Sequence, residues 1–253
     1  MAARGQRRAQ DRRDFHTRTL MSFSSRPFVA VNIAITADGK IAPDHRRFRP
    51  FGSKRDELRM MELRSRADAV MAGARTVGTG KVTLDPGGKE FQKRRVANGL
   101  AEYNLRVIVS RTGSISPRAH IFSKRFSPIL ILTTEAAPAK RLKELGKVAD
   151  EIFVSPGAEL DLGAALQWLR SRWKVQRLLC EGGGELNAPM FRLGLIDELY
   201  LTICPFIFAG RSAPTLADGD GIERLIEANR FRLKQSERVG DELFCVYRPS
   251  RSQ

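Results

Sequence analysis

The chain has 253 residues, 42% of them hydrophobic, and its 44 Lys and Arg against 28 Asp and Glu leave a formal charge of +16. That length supports one large domain or two small ones with a substantial core, and no apolar run is long enough to span a bilayer. Cys180, Cys204 and Cys245 lie in apolar, strand-like runs and share no ligand spacing with His16, His45 and His120, so they read as core residues of a reducing compartment and not as a disulfide framework or metal centre.

Residues 1–26 carry seven Arg against two Asp and few apolar side chains, the composition of a disordered extension. No apolar segment follows that would make a secretory signal, and a cytoplasmic protein is expected. Ordered structure is predicted from Pro27, with a buried strand over Phe28 to Ile35 and turn chemistry at Asp38-Gly39. Ser53 ahead of Asp56 and Glu57 marks a helix start; the helix should run to about Arg66 with Leu58, Met61 and Met60 inward. A short strand follows at Ala69 to Ala72, ending at Gly73. Thr79 to Asn104 is polar, charged and glycine-bearing, and reads as a long, partly mobile loop.

Strands are predicted at Leu105 to Val109, Pro128 to Leu132 and Glu151 to Val154, with a helix over Ala136 to Leu145. Asp161 caps an amphipathic helix whose Leu162, Ala165, Leu166, Leu169 and Trp173 share one face. A strand at Leu178 to Cys180 leads to Glu181 and the cluster Gly182-Gly183-Gly184, then to a helix with Leu186, Met190 and Leu193 on one face, Asn187 as its local N-cap and Gly194 as its end. The strand Leu199 to Cys204 precedes a Pro/Gly-rich excursion from Pro205 to Gly221, and a hairpin of Phe231 to Val239 and Glu242 to Arg248 turns at Gly240-Asp241. Strands alternating with helices imply an α/β fold of one domain, 27–249, with a largely parallel sheet, antiparallel edge strands at the C-terminal end and helices on both faces.

A strand, a glycine turn and a helix N-terminus form a phosphate site, because amides without intrahelical partners and the helix dipole face the anion. The triplet fits neither GxGxxG nor the P-loop pattern, and on residue types alone a tight structural connection is an equal reading. The remaining basic surplus is spread out, with clusters at 45–49 and 93–95. A solvated surface is the ordinary interpretation; a field that draws in phosphorylated ligands is the functional one. With no zinc finger, RNP motif or recognition helix, nucleic acid is not an expected partner.

Four blocks together resemble the reductase of riboflavin biosynthesis, which occurs alone or as the C-terminal domain of a bifunctional deaminase-reductase. They are RPFVAVNIAITADGKIA (26–42), ADAVMAGARTVGTG (67–80), LLCEGGGELNAPMFRLGLIDELYLTICPFIFAG (178–210) and APTLADGDG (213–221). The resemblance implies a doubly wound, dihydrofolate-reductase-like fold, a homodimer, and NADPH-dependent reduction of 5-amino-6-(5-phosphoribosylamino)uracil to the ribitylamino compound by hydride transfer to ribose C1′. It implies cofactor contacts at Gly73, Thr76, Gly80, Ser110, Gly182, Gly183, Gly184, Glu185, Leu186 and Asn187. Substrate contacts are implied at Asn32, Asp38, Arg64 and Glu181, with Glu181 also the catalytic candidate. The family's Asp-Asp-Pro-x-Leu-Thr segment is altered here: its first Asp falls on Gly80, and Asp85 is the acidic residue that could replace it. The family's Ser and Trp ahead of the first helix fall on Phe48 and Pro50. The altered 80–86 loop leaves open reduction of another pyrimidine, pteridine or related heterocycle; the +16 charge motivates a different alternative, a non-catalytic nucleotide-binding homologue that binds nucleic acid or acts as a sensor on the same fold.

Overall fold

The computed structural model describes residues 25–43, 50–78 and 80–250. The tail 1–24, the basic cluster at 45–49 with Phe48, and Thr79 lie outside the described residues. Arg26, assigned above to the tail, is tied into the fold through a two-pronged ion pair with Asp197 at 2.7 and 3.0 Å.

Nine strands form one sheet: β1 (Phe28–Thr36), β2 (Ala69–Gly73), β3 (Leu105–Val109), β4 (Ile129–Thr134), β5 (Glu151–Ser155), β6 (Arg177–Cys180), β7 (Glu198–Cys204), β8 (Phe231–Val239) and β9 (Glu242–Pro249). Their order is β5-β4-β3-β2-β6-β1-β7-β9-β8. The seven strands from β5 to β7 are parallel, and β9 and β8 add an antiparallel edge. β2 to β4 are buried at nearly every position, as strands covered on both faces must be.

The helices are α1 (Lys54–Arg64), α2 (Ala74–Gly78), α3 (Lys89–Ala97), α4 (His120–Ser123), α5 (Ala139–Leu145), α6 (Leu162–Arg172) and α7 (Gly184–Arg192). Leu63 of α1, Val77 of α2, Ile121 of α4 and Leu145 of α5 pack into one core with Ala30, Val70, Ile108 and Ile131. Leu162, Leu166 and Leu169 of α6 and Leu186 and Met190 of α7 pack into the other, against Val31, Met71, Val107 and Cys180. Alternate residues of the parallel strands thus serve opposite cores, the period-two geometry of a sheet covered on both sides. The order of connections reverses around β1, where the chain winds out to β5 and α6 returns it to β6. In open α/β sheets such a reversal leaves a crevice at the carboxyl ends of the strands.

Three expectations need correction. The segment 79–104 is not one long loop, because α3 crosses it. Its buried positions are Phe91 and Arg95, so a charge stands where an apolar residue would have revealed the helix. In α1 the inward residues are Arg59, Leu63 and Arg64, whereas Leu58 is exposed. The glycine-turn helix begins at Gly184 with Gly183 as its N-cap. Asn187 sits inside it, fully buried, its amide donating to Gly182 O and Leu216 O at 3.1 Å.

Candidate active site

Glu181 follows directly on β6, its amide donating to Met71 O of β2 at 2.8 Å. Its carboxylate receives both prongs of the Arg64 guanidinium, Nε to Oε1 at 2.7 Å and Nη2 to Oε2 at 2.6 Å. The two side chains retain only 11% and 8% exposure. Arg64 is the last residue of α1, and its Nη1 donates to Asp85 O at 2.7 Å. Burial opposes the charge on Arg64, but the Glu181 carboxylate more than offsets it and holds the guanidinium above its ordinary pKa. An ion pair this deep is stable only with good geometry, because each charge has lost most of its water.

The elements behind the pair are equally specific. Arg95 on α3 donates from Nη1 to Arg64 O and Ala67 O and from Nε to Ala101 O, capping the carbonyl end of α1. Burial lowers its pKa to about 10, so it remains a cation at neutral pH. The segment before α3 is held down at Leu84, which is buried with φ +56°. A leucine is uncommon in that backbone region. Asn104 stabilises it there by donating Nδ2 to Leu84 O at 2.9 Å. The Asp85 carboxylate turns back on its own segment, accepting from the Thr83 hydroxyl and from Gly87 N; only its carbonyl reaches the pair. Arg95 and Asn104 were not singled out from the sequence. Asn104 just ahead of an apolar strand, and a second Arg run inside a polar stretch, gave no distinguishing signal.

Asn32 lies on the same sheet face as Glu181. The register Val31↔Cys180 places the two side by side, and Asn32 pairs with Tyr200 on its other flank. Its half-buried side chain has no hydrogen bond among the described residues, which leaves an amide available to a ligand. Asp38 is committed differently. It accepts from the Thr36 hydroxyl at 2.5 Å, Phe208 N at 3.2 Å and Ala209 N at 2.8 Å, and these bonds, led by Thr36, hold its carboxyl below the usual range. Asp38 therefore fastens 206–209 to the end of β1, where Phe206 and Phe208 contact the ring of Phe51.

The glycine turn divides into two roles. A Cβ on Gly182 would come within 2.7 Å of Leu186 Cδ2, and one on Gly184 within 2.5 Å of Thr215 O and Asp218 Cγ. Both glycines are required by packing. At Gly183, with φ −81° and ψ 179°, the nearest atom to an added Cβ is Ile41 Cδ1 at 3.7 Å. Gly183 opens onto free space, and as N-cap it supplies no side chain to the first turn of α7. Leu186 and Asn187 point inward, and their amides close onto Gly183 O at 3.0 Å. Segment 213–218 buttresses the turn: Ile41 N donates to Pro214 O, Asp218 N to Gly184 O, and Thr215 N to Asp218 Oδ1.

Gly73 and Ser110 sit at the carboxyl ends of neighbouring strands, and Thr76 lies on α2, which follows directly on Gly73. Space is open around Gly73 and Gly80. Ser110 is buried, and its Oγ accepts from Ser114 N at 2.9 Å. Arg75 of α2 reaches Glu185 of α7 at 2.6 Å with both side chains exposed, bridging the two helix starts. The four sequence blocks therefore meet at one edge of the sheet. A phosphate-bearing dinucleotide fits this edge: the Gly183 opening and the uncapped first turn of α7 are what a pyrophosphate requires.

A mostly parallel sheet of this order, with an acidic residue and a glycine turn at its central carboxyl end, defines a dihydrofolate-reductase-like oxidoreductase. The chain belongs to the RibD C-terminal domain family, whose model matches residues 27–245. It is 36% identical to 2,5-diamino-6-ribosylamino-4(3H)-pyrimidinone 5′-phosphate reductase of Methanothermobacter thermautotrophicus over 88% of this chain and 98% of that protein. A pyrimidine reductase-like protein from Corynebacterium diphtheriae has the same fold, with a TM-score of 0.72 at 23% identity over 89% of this chain and 93% of its own. RibD of Acinetobacter baumannii matches with a TM-score of 0.70 at 21% identity over 90% of this chain, which spans 59% of that longer protein.

Proposed function

We propose that the protein reduces a 5′-phosphorylated ribosylaminopyrimidine of riboflavin biosynthesis with NADPH. The observation that carries this reading is the juxtaposition of the buried Glu181–Arg64 pair with the open Gly183 turn at one strand edge. NADPH when bound would supply hydride to ribose C1′ of the opened sugar, and a proton at the adjacent nitrogen completes the reduction. Gly183, Gly184 and Glu185 would hold its pyrophosphate through first-turn amides, with Gly73, Thr76, Gly80 and Ser110 along the neighbouring strand ends. Gly182, Leu186 and Asn187 contribute by fixing the turn.

Glu181 would accept hydrogen bonds from the sugar hydroxyls and orient C1′, while Asn32 addresses the adjoining polar edge of the substrate. Leu84 and the segment that carries it would exclude water from the same region. The reductase of M. thermautotrophicus is named for a substrate with a 2-amino group, where 5-amino-6-(5-phosphoribosylamino)uracil has an oxygen. The sugar and its C1′ are common to both compounds. The extensive match to that reductase favours the diamino compound as the better substrate, with the uracil as the second. The test is NADPH oxidation with each compound in turn, read together with product formation. Turnover of neither would sink the proposal.

A second copy of the chain is the proposed partner. Leu225 and Ile226 are 89% and 88% exposed on the wall of a cleft that Phe191, Asn229, Arg230 and Phe231 also line, and adjacent large apolar side chains left in water favour association. Sedimentation should show a dimer that Leu225→Asp with Ile226→Asp dissociates; an unaltered monomer in both would refute it.

A further inference from the structure

We propose that Arg111, assisted by Arg75, binds the 2′-phosphate that distinguishes NADPH from NADH. The proposal deepens the cofactor reading given above and rests on it. The reacting end of the dinucleotide belongs beside Glu181 and Asn32, at β6 and β1, and its pyrophosphate at the Gly183 turn that follows β6. The adenosine half then runs on over β2 and β3, the next strands of the sheet. The end of β3 is two strand spacings from that of β6, about 10 Å, within the reach of a nucleoside from its pyrophosphate. The residues that follow β3 there are Ser110 and Arg111.

Ser110 is buried, and its amide, carbonyl and hydroxyl oxygen are all engaged. Its amide donates to Leu132 O at 2.9 Å, while its carbonyl accepts from Gly113 N at 3.0 Å and its Oγ from Ser114 N at 2.9 Å. Ser110 therefore builds a turn, and the side chain that this turn presents to solvent is that of Arg111. The Arg111 backbone is fixed in its place. Its carbonyl accepts from the Thr134 hydroxyl at 2.9 Å, the Thr133 hydroxyl at 3.2 Å and Thr134 N at 3.3 Å. Both threonines are fully buried at the carboxyl end of β4. Three donors on one carbonyl hold an arginine whose side chain stays 55% exposed, a cation set in position before any ligand arrives.

The guanidinium of Arg111 meets Glu159 at 3.1 Å, and that carboxylate is 84% exposed. Arg75, two residues beyond the end of β2, meets Glu185 of α7 with both side chains exposed. Ion pairs as exposed as these contribute little, so either arginine can exchange its carboxylate for a phosphate at small cost. A phosphate monoester brings nearly two charges and three acceptor oxygens, which suit the guanidinium fork. NADH brings only a ribose hydroxyl to the same place, with no charge for either cation.

Adenosine 2′,5′-bisphosphate and its 3′,5′ isomer carry the same charge, so the general attraction of a chain of net charge +16 acts on both alike. Titration calorimetry of the full chain should show the 2′,5′ isomer bound at least about tenfold more tightly, as one charge-assisted contact provides. Arg111→Gln should remove most of that preference, and Arg111→Gln with Arg75→Gln all of it. Arg111→Lys should keep part, as a point charge without the fork. Thermal unfolding beside each titration establishes that the variants are folded. Equal affinity of the unsubstituted protein for the two isomers, or a preference that survives the double substitution, would overturn the proposal. Binding of neither isomer would overturn it together with the placing of the dinucleotide. Absence of product from either pyrimidine would count against the proposed reaction alone, because the isomers bind without turnover.

Discussion

Replacing Gly183 by alanine or valine distinguishes a ligand cradle from a tight connection more cleanly than any other change in the turn. Its backbone is extended, and an added Cβ meets nothing nearer than 3.7 Å, so the alanine side chain forces no clash. The stability cost is that of an apolar residue at a helix N-cap, about 1 kcal/mol or less. For a chain of this size that lowers Tm by about 2–4 °C. The ligand meets a different situation. A side chain at this point occupies the approach to the first-turn amides of α7, and each charge-assisted hydrogen bond lost is worth about 1.5–3 kcal/mol. Two such bonds correspond to a weakening of roughly 100-fold or more in NADPH affinity.

Gly182→Ala and Gly184→Ala are the controls. They drive Cβ to within 2.7 Å of Leu186 Cδ2 and 2.5 Å of Thr215 O, and overpacking of this kind costs about 1–3 kcal/mol. Titration calorimetry with NADPH, beside thermal unfolding of each variant, reads both quantities. A folded Gly183→Val protein that binds NADPH within about twofold of the parent would refute the cradle.

Other consequences can be checked on the same protein. Glu181→Gln should reduce turnover far more than NADPH affinity, and equal activity would remove Glu181 from the mechanism. Arg95→Met should cost about 2–4 kcal/mol in urea unfolding, because the carbonyls of Arg64, Ala67 and Ala101 lose their shared donor; a change below about 0.5 kcal/mol would exclude that capping role. Asp56 has its carboxyl pushed up chiefly by burial, with Glu242 adding to the rise. The folded state thus binds its proton more tightly than the unfolded chain, and the contribution of Asp56 to stability falls as pH rises above the ordinary aspartate value of 3.8. Asp56→Asn should raise Tm at pH 7 and give little gain near pH 3; a lowered Tm at pH 7 would contradict the sign.

The layered α/β fold was legible because the strands are continuous apolar runs and α6 carries an unbroken apolar stripe behind Asp161. The glycine turn was legible as a feature, but the division of labour within it was not. That Gly182 and Gly184 serve packing while Gly183 stays open depends on Leu186, Thr215 and Asp218, and the last two lie about thirty positions away in sequence. Asp38 was expected at the substrate, yet its oxygens secure Thr36, Phe208 and Ala209, a partnership set by long-range closure. α3 escaped notice because Arg95 replaces an apolar residue on its inner face. Arg59 and Arg64 are likewise buried in α1: Arg64 is held by a carbonyl and a carboxylate, and Arg59 donates Nη2 to Cys245 O, partners that hydrophobic periodicity does not register. Resemblance placed Arg64 in the site, and only the geometry reveals what it holds.

The central claim is that this strand edge reduces a ribosylaminopyrimidine phosphate. It is tested most directly by incubating the purified protein with NADPH and the 2,5-diamino or the uracil compound, following both cofactor oxidation and the ribitylamino product. The account predicts product in step with NADPH consumption, with the diamino compound preferred and turnover sharply reduced in Glu181→Gln. NADPH binding without product from either compound would contradict it and redirect the fold to another heterocycle.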